Sequence, residues 1–270
     1  MGRPVISLLT DFGARDPSAG ILHGVILGIA PDAAIVDISH EVHKFQIRDG
    51  ALLLWCALPY LPVGSHVAVV DPGVGGPRRA LALRDAEGRA YVGPDNGLLL
   101  PATERAGIAE AHEIVNPEYA LSPVSRTFHG RDIFAPAAAH VAKGLALAEL
   151  GPPIDPSALV RLELPHPEVR TNRIGASILY VDAFGNMQLN LTREHLDQAD
   201  VQPGARLELE LAGQRYYAIA ARTFSDARTG DLILYEDSYG NVAVAMNRGN
   251  AAEMLAARAG QGLRINLDAP

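Results

Sequence analysis

The chain opens on a near-continuous apolar run, Val5–Thr10, which predicts a strand buried on both faces. Residues 20–29 follow with helical spacing, and their glycines, Gly20, Gly24 and Gly28, fall four apart, predicting a small-residue packing face. A second strand is expected over 34–38, a second helix over 46–58 and a third strand over 66–70. Residues 80–83 and 90–92 read as a strand pair joined by a turn at Glu87-Gly88. An alanine-rich helix is expected over 133–143. Strands alternating with helices predict an α/β domain with a mostly parallel central sheet.

The pattern breaks between 151 and 167, where Pro152, Pro153, Pro156, Pro165 and Pro167 cluster. Beyond it come short strand patterns, 174–181, 206–211, 216–221, 232–235 and 242–245, parted by Gly- and Asp-containing turns, then a short helix over 251–258. These predict an antiparallel β-barrel or sandwich. The expected division is an N-terminal α/β catalytic domain over 1–164 and a C-terminal β-barrel-like domain over 165–270.

The net charge of −8 carries no basic block, which argues against nucleic-acid and membrane-surface binding. No apolar stretch is long enough for a bilayer, and the start, Met1-Gly2-Arg3-Pro4, lacks a signal-peptide core. Cys56 is the only cysteine, so no internal disulfide forms and a cytoplasmic setting is expected. It lies in an apolar run and reads as a core thiol.

Three strands are expected to end in carboxylates, Asp11, Asp71 and Asp95, and strand ends are where α/β sheets hold ligands. Asp71 leads a Pro/Gly loop that ends in Arg78 and Arg79. By itself the loop also fits a turn with a surface ion pair. Asp11 suits a ribose diol or a turn cap, and Asp16 a cap for the next helix. His129 lies in Thr127-Phe128-His129-Gly130-Arg131-Asp132 and reads as structural or as a polar site group. A metal site from Asp11, Asp71, His40 and His129 is a minor alternative. The P-loop, the dinucleotide fingerprint, the serine nucleophile elbow and Cys/His metal clusters are all absent.

Seven segments come in order: Leu8–Gly13, Asp37–Glu41, Val70–Gly75, Gly93–Leu98, Thr127–Asp132, Val181–Asn186 and Asn247–Glu253. Together they resemble the S-adenosyl-L-methionine hydroxide adenosyltransferase family, the SAM hydrolases, which are related to fluorinating and chlorinating enzymes. The resemblance covers nearly the whole chain. It implies an α/β domain followed by a β-barrel-like one, and a homotrimer with sites between subunits. It implies no metal or organic cofactor, S-adenosyl-L-methionine (SAM) being the substrate. By motif, the catalytic set falls on Asp71, Arg78 and His129. Asp11 matches a ribose-binding carboxylate, Asp16 and Ser18 a loop at the methionine end, and Phe45 a group beside the adenosine. Asn186 matches an adenine contact, and Asp182 and Ser238 match groups that hold the methionine.

The resemblance implies hydrolysis of SAM to adenosine and L-methionine by attack of water on the ribose C5′. A carboxylate at position 71 repels halide and accepts a proton from water, so a hydrolase is expected and not a halogenase. Two alternatives stay open at this point: a SAM- or adenosine-binding sensor without fast turnover, and a halide-using enzyme.

Overall fold

A computed structural model describes residues 3–163 and 165–267. Leu164, at which the sequence reading ends the first domain, lies outside the described residues. The chain divides into two compact units at the 162/163 junction.

The first unit contains strands β1 (Val5–Thr10), β2 (Ala34–Ser39), β3 (Ser65–Val69), β4 (Ala80–Asp85), β5 (Ala90–Pro94) and β6 (Ile108–Glu113). They form one sheet in the order β2-β1-β3-β5-β4-β6. The β2–β1, β1–β3 and β3–β5 ladders are parallel, whereas β4 pairs antiparallel with β5 and β6. Helices α1 (Ser18–Ile29), α2 (Ile47–Ala57), α3 (Leu100–Glu104) and α4 (Ala135–Ala142) cover its two faces.

The strand pattern explains this layering. Ile6, Leu8, Val67 and Val69 point into one core with Leu22, Ile26 and the alanines of α4. Leu9, Ala68 and Val70 point into the other, with Leu54, Leu98 and Leu99. The central strands β1, β3 and β5 are buried on both faces, so they read as apolar runs without alternation. Gly50 of α2 is one glycine that packing requires, since a Cβ there would lie 2.9 Å from Val70 and Leu98.

The glycine stripe of α1 does not pack as expected. A Cβ at Gly20, Gly24 or Gly28 would meet no atom within 4 Å, because the helix docks through Leu22 and Ile26 on its other side. The alanine-rich helix also begins differently. Residues 130–134 form one wide π-turn, with the Ala135 N–H bonded to the Gly130 carbonyl, before the α-helix proper starts. Such turns concentrate at functional sites.

The second unit holds β7 (Glu168–Arg170), β8 (Arg173–Val181), β9 (Met187–Thr192), β10 (Arg206–Leu211), β11 (Gln214–Ala220), β12 (Leu232–Glu236), β13 (Asn241–Met246) and β14 (Gly262–Asn266). Their order is β14-β10-β11-β12-β13-β9-β8-β7, and β14 also pairs with β8. That pairing closes a seven-strand barrel and leaves β7 outside it. All its ladders are antiparallel except β11–β12, a departure from the sequence expectation. Helices α5 (Arg193–Gln198) and α6 (Ala251–Leu255) complete the unit. The latter stops three residues short of expectation, at a left-handed Ala256 (φ 49°).

Candidate active site

The chain leaves β1 for β2 on one side and returns to β3 on the other, so the winding reverses between β1 and β3. Ligands in open α/β sheets bind at such a reversal, beyond the carboxyl ends of the strands. Thr10 pairs with Val69 in this register, which brings the following residues Asp11 and Asp71 into one region. A cleft of about 290 Å³ opens there, and its lining includes Asp11, Asp16, Ser18, Phe45, Asp71 and His129.

Arg78 organises the cleft. Its Nε lies 3.1 Å from both carboxylate oxygens of Asp71, and its Nη2 lies 2.5 Å from Oδ2. The same Nη2 lies 2.8 Å from Nδ1 of His129. The Asp71 side chain is 5% exposed and that of Arg78 11%. The guanidinium rests on the Phe134 ring, 5.3 Å from its centroid. A guanidinium has donors only, so His129 accepts through Nδ1 and carries its proton on Nε2. Burial, reinforced by the Arg78 charge, lowers the His129 pKa and keeps the ring neutral.

Backbone geometry brings these groups together. The Asp71 loop turns tightly, with Gly76 N–H bonded to the Gly73 carbonyl. Gly75 has φ +76°, and a Cβ there would lie 2.2 Å from the Arg126 carbonyl oxygen. Only glycine lets the loop bearing Asp71 lie so close to the loop bearing His129. The π-turn after His129 is braced by Asp132, which is buried and accepts from Ser125 N–H (2.8 Å) and Arg131 Nε (2.6 Å). Phe12 and Phe128 stack edge to face at 5.6 Å and wall the cleft.

Asp11 is buried, and its Oδ2 accepts from the Phe45 N–H at 2.9 Å. Phe45 takes a left-handed backbone (φ 65°) and is 67% exposed. An aromatic residue held in that conformation points to a positional demand. Lys44 donates to the carbonyls of Asp11 and Phe12 at 2.9 and 3.1 Å, fixing the loop. Asp16 accepts from the Ser18 N–H at 2.9 Å where α1 begins, and this bond lowers its pKa.

Other candidates go elsewhere. Arg79 turns away from Asp71 and binds Asp95 (Nε–Oδ2 2.8 Å), whose Oδ1 accepts from Val160 N–H. Asp95 is thus a buried strut and not a cleft residue. The alternative metal set of Asp11, Asp71, His40 and His129 does not assemble among the described residues, because His40 turns its ring to Thr10 and Asp37. Lys44, Phe12, Thr127 and Phe128 also line the cleft. The last three lay within quoted motifs. Lys44 had only its place beside Phe45 as a signal.

Asp182, Asn186 and Ser238 belong to the second unit. The Asp182 carboxylate takes the backbone N–H groups of Phe184 and Asn186 and the Asn186 side-chain amide, all within 2.9 Å. It shapes the β8–β9 turn. Ser238 lies on the β12–β13 turn, where Asp237 accepts from Tyr239 and Asn241 N–H groups. Burial, then the charges of Asp237 and Asp182, push the Tyr235 hydroxyl up to about 12, which sets both turns near one phenol.

Residues 6–151 match the model of the SAM hydroxide adenosyltransferase N-terminal domain, and residues 176–264 match that of its C-terminal domain. The chain belongs to this family. Similar relatives of the family include an (R)-S-adenosyl-L-methionine hydrolase of Salinispora arenicola, 46% identical over 97% of each chain. Another of that name, from Thermus thermophilus, is 40% identical over 97% of this chain and 99% of its own. A fluorinase of Actinoplanes is more distant, 29% identical over 91% and 92%. Among solved structures, an uncharacterized conserved protein of Thermotoga maritima aligns with a TM-score of 0.92 and 34% identity, covering 97% of this chain and 99% of that one.

Proposed function

We propose that this enzyme hydrolyses SAM to adenosine and L-methionine by in-line attack of water or hydroxide on the ribose C5′. The observation that carries the reading is the Asp71–Arg78–His129 group on the cleft at the β1/β3 reversal. The substrate is a sulfonium cation, and Asp11, Asp16 and Asp71 supply carboxylates around the cleft. In the reaction the water oxygen bonds to C5′ while the C5′–S bond breaks. Its electron pair stays on sulfur as the neutral thioether of methionine. The leaving group needs no proton, so the work lies with the nucleophile. Asp71 orients the water and accepts its proton, which then passes to solvent. Arg78 holds that carboxylate in place, and the Nε2–H of neutral His129 steadies the developing hydroxide. Asp11 binds the ribose hydroxyls, Asp16 and Ser18 face the methionine end, and Phe45 packs on the adenosine.

Asp182, Asn186 and Ser238 hold the remainder of the substrate in the same reading, and the working form is a cytoplasmic homotrimer. Large side chains stand open beside those groups, Phe184 at 78% and Tyr239 at 50%, which favours their being covered in an assembly. Sedimentation velocity tests the trimer.

The deciding experiment is turnover of SAM in ¹⁸O-labelled water with mass spectrometry of the products. Label on the adenosine 5′-oxygen is expected. Bound SAM without product would favour a sensor, and 5′-haloadenosine formed in chloride or fluoride would favour a halogenase. Asp71→Asn should lower kcat by roughly 10²–10⁴-fold, the usual contribution of a general base, and leave the binding of SAM largely intact. Unchanged turnover would remove Asp71 from its role.

A further inference from the structure

One quoted motif, Asp37-Ile38-Ser39-His40-Glu41, has no part in the reaction above. We propose that its Asp37 and His40, with His23 of α1, form a binding site for one divalent transition-metal ion, Zn²⁺ foremost, apart from the reacting atoms. Nε2 of His23 lies 2.8 Å from Asp37 Oδ1, and Nε2 of His40 lies 3.0 Å from the same oxygen. Three ligand atoms therefore converge within 4.8 Å of one another, the only such group among the described residues. A tetrahedral ion with bonds of about 2.0–2.1 Å keeps its ligand atoms about 3.3 Å apart, so a small outward shift admits it. Two imidazoles and one carboxylate are a donor set for Zn²⁺ or a neighbouring divalent ion, with a remaining position for water.

Two further features fit a site and not a chance ion pair. The first is the backbone. Asp37 and His40 are three apart, so a regular strand would place them on opposite faces. The β1–β2 register slips between Leu8↔Asp37 and Leu9↔Ser39, inserting Ile38, and this irregularity turns both side chains to one side. The second is the outer support. The remaining His40 nitrogen, Nδ1, lies 2.9 Å from the hydroxyl of buried Thr10, which fixes the ring with Nε2 aimed at Asp37. Metal-binding histidines are oriented in this way. Access is open, with side chains of His23 at 33% and Asp37 at 44% exposure.

The ion would join α1 to the end of β2 and, through Thr10, to the residue before Asp11. It would brace two walls of the cleft without touching substrate. Calorimetric titration of chelator-treated full-length protein with Zn²⁺ tests this. One saturable site per chain, with micromolar or tighter Kd and a raised Tm, is expected, and Co²⁺ should give the visible spectrum of a low-coordinate site. His23→Gln, on a partly exposed helix face where folding is not at risk, should remove that binding and the Tm rise. Thr10→Val should weaken it about 10–100-fold, as loss of outer support does. No saturable binding by the wild-type protein, or His23→Gln binding as the wild type does, would overturn the proposal.

Discussion

His66 offers a quantitative test of the first unit's core. It starts deep in β3, is fully buried, and its Nδ1 lies 2.8 Å from the Ser7 hydroxyl. Its Nε2 has no partner among the described residues. Burial, with Arg89 adding to it and Asp85 opposing, lowers its pKa from 6.5 to about 4. The folded state therefore binds the proton less readily than the unfolded one. Stability is fully present above pH 6.5, falls as pH drops from 6.5 toward 4, and loses nothing more from this group below that. The fall from 6.5 to about 4, at 1.36 kcal/mol for each tenfold change in proton affinity, sets about 3 kcal/mol as the loss across the window. Urea unfolding followed by the fluorescence of Trp55, the single tryptophan, reads this unit directly. His66→Asn keeps a polar partner for Ser7 but cannot titrate. It should be less stable at pH 7, and its stability should fall less steeply than the wild type's between pH 6.5 and 4. If both proteins lose stability in parallel across that window, the protonation of His66 is not what weakens the fold in acid.

Three other outcomes are expected. Protonating His129 would set a second cation against Arg78, so activity requires the neutral ring. Its pKa is lowered by burial and by Arg78, so kcat/KM should fall on the acid side with a midpoint below the ordinary histidine value, and a midpoint above 6.5 would contradict the assigned tautomer. Gly75→Ala forces both a left-handed alanine and a collision with the Arg126 carbonyl, and should cost about 1–3 kcal/mol by denaturant unfolding together with a loss of kcat. Asp11→Ala removes the acceptor that pins the Phe45 N–H, so KM for SAM should rise more than kcat falls; an unchanged KM would count against a ribose role.

Much of this arrangement was readable in the chain. Apolar runs ending in aspartate placed Asp11 and Asp71 at strand ends, and the layered sheet then put those ends side by side. The family motif singled out Arg78, but the loop's composition and spacing alone could not separate it from Arg79. They are neighbours, and a tight glycine turn decides which one meets Asp71 and which braces Asp95. The glycine spacing in α1 misled because periodicity shows which residues share a face, not which face is buried. Strand β9 was passed over although Met187, Leu189 and Leu191 alternate inward, since its polar residues resemble turn chemistry. Strand β14 offers only Leu263 and Ile265 as buried positions, too short a signal to stand out.

The closure of the barrel bears on how the chain is made. Gly262 pairs with Ser177, and Leu211 pairs with Leu263, so one late segment zips two earlier strands together. On the ribosome the first unit has every strand of its sheet before the barrel's seam can form. Until β14 emerges, β8 and β10 present raw edges able to recruit a neighbouring nascent chain. A stop before Gly262 would make that transient hazard permanent, and the cost would fall on the barrel that carries Asp182 and Ser238.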